Sequence, residues 1–234
     1  MQMVILAGGM ATRLGPLTKD TPKCMLCFNG KTFFEHQIEL LKKHQVTEIV
    51  LCVGHLADKI EAYYGDGSRF GLRIKYSVER DRLLGTGGAL KKAEPLLDEE
   101  FLLMYGDSYL LLDYADIMSR FRRSGKQGLM VVYRNMDLYD CSNVTLENDL
   151  VKVYDKKRKT PDMMYIDAGL SALKKSALTF LPGGEVCPLE CLFCHLIDQK
   201  GLLAYETHQR FYEIGSPAGL EEFNRLICSA EVST

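Results

Sequence analysis

The chain has 234 residues, 47% of them hydrophobic and 26% charged, with a formal net charge of −2. This composition is that of an ordinary globular protein with a substantial core, and the charge balance excludes a nucleic-acid binder that works through a broad basic face. No apolar run reaches the roughly 20 residues that cross a bilayer, and the sequence opens on a strand pattern with no basic region or cleavage site. A cytoplasmic protein with no membrane association is therefore expected, and its eight cysteines are expected to be mostly reduced thiols.

Residues 2–7 read as a buried strand, followed by LAGGMATRLGPLTKDTPKCM from Leu6 to Met25. Ala7, Gly8 and Gly9 keep the chain slim, so that backbone N–H groups can approach a phosphate. Arg13 adds a guanidinium fork that suits phosphate oxygens, and Lys23 adds a compact point charge. A Gly-Gly pair after a strand is by itself only a tight turn. With both cations at these spacings, the segment describes a nucleoside triphosphate site. It is neither the Gly-Lys-Ser/Thr phosphate loop nor the three-glycine dinucleotide fingerprint.

Apolar strands then alternate with amphipathic helices. Helices are predicted over 32–44, 56–64, about 87–94 and about 114–123, and strands over 48–53, 72–77, 101–105 and 129–133. This rhythm predicts a sheet with helices on both faces. It changes afterwards, with short β segments near 142–146, 150–154 and 164–172, helices near 174–179 and 188–199, strands near 202–205 and 210–214, and a last helix over about 217–228. No repeat or low-complexity linker interrupts the chain. The order suits a nucleotide-binding half, about 1–135, joined to a more antiparallel half, about 136–234, within one unit.

Three further features carry chemistry. Leu84-Gly-Thr-Gly-Gly-Ala-Leu90 lies between a strand and a helix, where ligands of open α/β sheets gather. Just upstream, Glu79 is either a solvated surface charge or an acceptor for the paired N–H donors on guanine's edge. Gly106-Asp107 ends a strand, a common place both for a turn cap and for a metal-binding carboxylate. Two cysteine pairs, Cys24-x-x-Cys27 and Cys191-x-x-Cys194, read as free thiols, the latter sharing a helix face with Leu and Phe neighbours. Lys157, Arg158 and Lys159 read as a solvated basic turn.

The Leu6–Met25 segment resembles the signature loop of the sugar-1-phosphate nucleotidylyltransferases, close to GGxGTRLxPLTxxxPKPM. Ala11 stands where that family usually has glycine, and Cys24 where it has proline. The resemblance covers nearly the whole chain and implies one Rossmann-like, three-layer α/β nucleotidyltransferase domain. Its sheet would be mixed and mostly parallel, with a smaller antiparallel acceptor-binding portion. The implied reaction joins a nucleoside triphosphate to a sugar 1-phosphate, giving a nucleotide sugar and pyrophosphate.

By the same resemblance, Arg13 and Lys23 are catalytic, and Leu6, Ala7, Gly8, Gly9, Thr12, Glu79, Gly85, Thr86 and Gly87 bind the nucleotide. Gly87 and Gly88 would leave room for the base. Asp107 matches the family's magnesium aspartate. Phe211-Tyr-Glu-Ile-Gly-Ser-Pro217 occupies the place of the second metal string, with Glu213 in place of aspartate, so the implied cofactor is Mg2+. Tyr154-Asp-Lys-Lys157 and Tyr165-Ile-Asp-Ala-Gly-Leu170 resemble the acceptor motifs. Lys156 would hold the acceptor phosphate and Asp155 its hydroxyls, while Gly169 would let the acceptor approach the backbone. Asp167 replaces a customary asparagine, and Asn143 adds acceptor contacts.

Glu79 together with LGTGG looks most like guanylyltransferases acting on mannose or heptose phosphates. The alternatives are a uridylyl- or cytidylyltransferase for an amino-sugar or non-sugar phosphate, and a non-catalytic nucleotide-binding regulatory subunit. The implied partners are the nucleotide and the sugar 1-phosphate, and a homodimer is compatible. No β-helix repeat follows, so no appended acyltransferase domain is expected.

Overall fold

Alternation of apolar residues along the strands sorts the core onto two sides of one large sheet. The computed structural model describes residues 1–231. In chain order the elements are β1 (Gln2–Leu6), β2 (Cys27–Phe28), β3 (Lys31–Thr32), α1 (Phe33–Lys43), β4 (Glu48–Val53), α2 (Ala57–Tyr64), β5 (Arg73–Val78), α3 (Gly85–Ala93), β6 (Glu100–Tyr105), β7 (Ser108–Leu110), α4 (Tyr114–Ser124) and β8 (Gly128–Arg134). They continue with β9 (Val144–Glu147), β10 (Leu150–Tyr154), β11 (Tyr165–Lys174), α5 (Glu190–Asp198), β12 (Leu202–Thr207), β13 (Phe211–Glu213) and α6 (Pro217–Glu231).

The sheet has nine strands in the order β5-β4-β1-β6-β11-β8-β12-β10-β9. Strands β5, β4, β1 and β6 are parallel neighbours, β11 runs antiparallel to β6 and β8, and β8 and β12 are again parallel. Met3 and Ile5 of β1 face one core, which also holds Phe34, Ile38 and Leu41 of α1, Ile60 of α2 and Phe121 of α4. Val4 faces the opposite core, with Leu90 of α3 and Leu192, Phe193 and Leu196 of α5. The fold is thus a three-layer α/β sandwich with a mixed sheet, as the sequence implied. Phe223 and Ile227 of α6 close a third cluster with Phe28, Phe33 and Ile214.

Strand direction decides where the site forms. Because β1 lies between β4 and β6, the carboxyl ends of β1, β4, β5 and β6 deliver Gly8, Gly54, Glu79 and Asp107 to one edge of the sheet. That switch point is where ligands of open α/β sheets bind.

Several expectations change. The helix expected over 174–179 is a 3-10 turn, Lys175–Phe180, and α3 starts at Gly85, two residues before its expected beginning. The short strands β2, β3 and β7 were not expected, while β13 falls within the strand expected near 210–214, and they form two small antiparallel pairs, β2–β3 and β7–β13. Cys191 and Cys194 are exposed on α5, while Leu192 and Phe193 beside them are buried. The helical phase therefore turns both thiols away from the apolar face on which they were expected, and Cys27 is exposed as well.

Candidate active site

The loop after β1 is tied down by backbone hydrogen bonds before its side chains act. Ala7 N–H donates to the Cys52 carbonyl at 2.8 Å. Gly8 passes close to its neighbours, since a Cβ there would stand 2.8 Å from Glu79 Oε2 and 3.3 Å from Gly54 N. Ala11 adopts φ 50° and ψ 42°, so alanine is held in the left-handed conformation that glycine adopts freely, a strain of about 1–2 kcal/mol. Two 3-10 turns follow, Thr12–Thr18 and Lys23–Met25. They carry Arg13, which is exposed, and Lys23, whose Nζ lies 2.6 Å from Asp107 Oδ2, each side chain being 21% exposed.

A cavity of about 250 Å³ opens at this edge, walled by Leu6–Gly9, Lys23, Cys24, Glu79, Leu83, Gly85, Thr86 and Tyr105–Asp107. Burial pushes the Cys24 thiol up to about 12, so it presents a neutral sulfur here. Glu79 is buried rather than solvated, at 6% exposure. Its Oε1 accepts from Leu84 N–H at 2.7 Å, and burial raises its pKa above the usual carboxylate range. Thr12 is exposed and lies outside the cavity wall. Gly87 has a different cause from the one expected. Its N–H and that of Gly88 both donate to the Cys187 carbonyl, at 2.8 and 3.0 Å, and a Cβ on Gly87 would stand 2.8 Å from the Pro188 carbonyl oxygen. The close approach of residues 187–188 requires this glycine, and Gly87 is not among the residues that wall the cavity.

A second, larger cleft of about 930 Å³ lies beyond Asp107 and is lined by Arg13, Asn143, Asp155, Lys156, Asp167, Gly169, Arg210 and Glu213 among others. Asn143 Oδ1 accepts from Asp167 N–H at 3.0 Å. Asp155 Oδ1 accepts the N–H groups of Arg158 and Lys157, which hold its carboxyl below the usual range. Lys156 Nζ donates to Tyr105 Oη at 3.4 Å. Asp167 is engaged within the chain, where Tyr154 Oη donates to its Oδ2 and Gly169 N–H to its Oδ1, each at 2.9 Å. Its carboxylate therefore braces β11 while it also lines the cleft. Gly169 sits at φ 88°, and a Cβ there would strike Ser108 Oγ.

Pairing of β13 with β7 sets Glu213 opposite Ser108, one residue past Asp107. Glu213 Oε2 accepts Gly215 N–H and Oε1 accepts the Ser216 hydroxyl at 2.7 Å. Gly215 marks the convergence point. A Cβ built on it would stand 2.5 Å from Glu213 Oε2, 2.7 Å from Arg13 Nη2 and 3.0 Å from Asp107 Oδ2. Sequence reasoning passed over Gly215 and Tyr105, although the glycine lies inside the 211–217 string. Two carboxylates at one edge suit Mg2+, which commonly takes one or two carboxylates together with substrate phosphates. Among the described residues no group of three or more His, Cys, Asp or Glu side chains could hold an ion alone. Tyr105 and Asp107 border both cavities.

Residues 2–178 match the sequence profile of the nucleotidyl transferase family. The chain is 29% identical, over 99% of its length, to UTP–glucose-1-phosphate uridylyltransferase of Synechocystis sp., and spans 64% of that protein, just under two thirds. It is 35% identical, over 67% of its length, to D-glycero-alpha-D-manno-heptose 1-phosphate guanylyltransferase of Campylobacter jejuni, and spans 69% of it. Among solved structures, HddC from Yersinia pseudotuberculosis complexed with GMP-PN superposes with a TM-score of 0.80 at 25% identity, over 97% of this chain and 99% of that one.

Proposed function

Since the chain belongs to the nucleotidyl transferase family, we propose that it transfers a nucleoside monophosphate from GTP to a mannose- or heptose-type sugar 1-phosphate, releasing pyrophosphate. One observation carries this reading: two cavities, one floored by a glycine loop and the other lined by Arg13 and Lys156, share the wall formed by Tyr105 and Asp107. Two anionic substrates bound on either side of that wall would have their reacting groups side by side.

The chemistry asks for alignment rather than proton transfer. A phosphate monoester has a second pKa of about 6, so the attacking oxygen is already anionic at neutral pH. The protein must gather two polyanions and set them in line. Gly8, Gly9 and Lys23 wall the cavity read as the nucleotide side, while Arg13 and Lys156 line the cleft read as the acceptor side. The ion pair with Asp107 fixes Lys23 at the boundary, so its charge is in place before the reaction begins. Asp107 and Glu213 would hold Mg2+, which when bound would neutralise phosphate charge.

Glu79 is the candidate reader of the base. The guanine assignment is supported by its carboxylate in the cavity wall and by the names of the Campylobacter and Yersinia proteins. A second reading is uridylyl transfer, favoured by the Synechocystis relative and by the bond from Leu84 N–H, which engages Oε1 and leaves Oε2 for a single imide N–H. Pyrophosphate release measured for four nucleoside triphosphates against mannose, heptose, glucose and amino-sugar 1-phosphates, with magnesium and with EDTA, separates these readings. GTP with mannose or heptose 1-phosphate is expected to be turned over and EDTA to stop it. A preference for UTP selects the second reading, and release from no pair refutes both.

A further inference from the structure

Arg210 lines the larger cleft and immediately precedes β13. Along that strand Glu213 pairs opposite Ser108, beside Asp107, and Phe211 opposite Leu110. At about 3.3 Å per residue, the Arg210 backbone stands about 10 Å from that of Glu213, at the end away from Asp107. Its side chain is 17% exposed and held from several sides. Nη2 donates to Glu222 Oε2 at 2.7 Å, Nη1 donates to the Phe211 carbonyl, and Cζ lies 3.5 Å from the centroid of the Tyr139 ring. Those bonds engage two of the five guanidinium hydrogens, so each Nη keeps one. The Nε–H is buried without a partner, an arrangement that calls for a reason beyond stability. Glu222 lies on the face of α6 that carries Gly219, three residues earlier, to the same cleft. Its Oε1 accepts no hydrogen bond among the described residues.

The pair therefore offers donors and an acceptor side by side, and the stacked ring fixes the plane of the fork. Six carboxylates and five cationic side chains line the whole cleft, and Arg210 is matched by Glu222. This end carries no surplus positive charge for a second anion. A neutral group that both accepts and donates fits it, and two hydroxyls on adjacent carbons do both at once. One oxygen accepts from the guanidinium while the other hydroxyl donates to Oε1. We propose that Arg210 and Glu222 are a specificity-determining pair that recognises the 3- and 4-hydroxyls of the acceptor sugar, across the ring from its phosphate. This rests on the reading of the larger cleft as the acceptor site. Arg13 and Lys156 then hold the phosphate, and the pair beside Tyr139 distinguishes a sugar phosphate from phosphate alone.

The test is calorimetry of mannose 1-phosphate, 4-deoxymannose 1-phosphate and inorganic phosphate with the unaltered protein, Arg210→Lys and Glu222→Gln. Melting curves identify any variant that does not fold, and the deoxy probe needs no variant. The unaltered protein is expected to bind 4-deoxymannose 1-phosphate about tenfold more weakly than mannose 1-phosphate, the worth of one hydrogen bond to a charged group. Arg210→Lys loses the planar fork and Glu222→Gln the charge of the acceptor. Each is expected to raise the mannose 1-phosphate Kd about tenfold with the inorganic phosphate Kd held. Removing the 4-hydroxyl should then cost either variant no more than about twofold further, because its partner is already impaired. A pair that only ties α6 to β13 would lower the melting temperature and shift all three ligands alike, or none, and either result would overturn the proposal. So would equal binding of mannose 1-phosphate and its deoxy analogue, or of mannose 1-phosphate and inorganic phosphate, by the unaltered protein. Binding of no phosphate probe would refute the reading of the larger cleft itself. Sugar-phosphate binding without pyrophosphate release from any nucleotide would sink the proposed reaction, and the same calorimetry would still decide the pair.

Discussion

Gly215→Ala adds one methyl group at the point where Arg13, Asp107 and Glu213 meet, and leaves the backbone N–H that Glu213 accepts in place. The new carbon would stand 2.5 Å from Glu213 Oε2 and 2.7 Å from Arg13 Nη2, well inside van der Waals contact, so both side chains must swing away. Overpacking costs about 1–3 kcal/mol in a rigid core. Here the neighbours are the ends of flexible side chains, so the lower figure applies, and a loss of about 1 kcal/mol lowers the melting temperature of a protein this size by about 2–4 °C. Turnover is far more sensitive, because a displacement of about 1 Å in a positioning group costs about a hundredfold. The assay is kcat for pyrophosphate release beside a thermal melt of the same sample. Wild-type turnover in a folded variant would refute the placement of Arg13, Asp107 and Glu213 around a common point.

Lys23→Ala and Asp107→Ala should each lower turnover by about a thousandfold or more, as loss of preorganised charge does elsewhere. Both should melt close to the unaltered protein, since a part-exposed pair contributes about 1 kcal/mol; near-wild-type rates would sink the mechanism. Burial raises the folded-state pKa of Glu79 above its ordinary 4.5, so the folded protein binds more protons than the unfolded chain just above that pH. Stability should therefore fall as pH rises through that window, and Glu79→Gln should flatten this slope in denaturant titrations. Ala11→Gly should relieve the left-handed strain and raise stability by up to about 1 kcal/mol, less the entropy that glycine adds to the unfolded chain. A lower melting temperature would show that alanine is tolerated there without strain.

Local pattern carried much of the fold, and it stopped where contacts are distant in sequence. The near-continuous apolar runs in Gln2–Leu6, Glu48–Val53 and Glu100–Tyr105 announced strands because each is buried on both faces. The loop from Leu6 to Met25 was legible because its glycines and cations are consecutive. The strand near 210–214 was legible, but its partner β7 is three residues long, too short for a periodic signal, and their pairing joins residues about a hundred positions apart. Glu79 gave no sign of burial, since the atoms around it come from Gly8, Gly54 and Leu84. The bond that holds Asp167 was not legible, because the hydroxyl that makes it belongs to Tyr154, thirteen positions away on another strand. Gly87 and Gly88 were visible as glycines, but their cause lies in the backbone of residues 185–188.

That last contact also bears on how the chain can be cut and recombined. The first turn of α3, which presents Gly85 and Thr86 to the nucleotide cavity, has two of its N–H groups met by a carbonyl from position 187, and β11 is threaded between β6 and β8. A chimera that exchanged everything after residue 135 to change the acceptor would therefore import a foreign cap for α3 and a foreign middle strand as well. Shorter exchanges, confined to the 137–142 and 155–159 turns at the rim of the larger cleft, would leave those joints intact. On the proposed reading of the larger cleft, they are the segments through which acceptor preference would be altered with the cap of α3 and the strand β11 left in place.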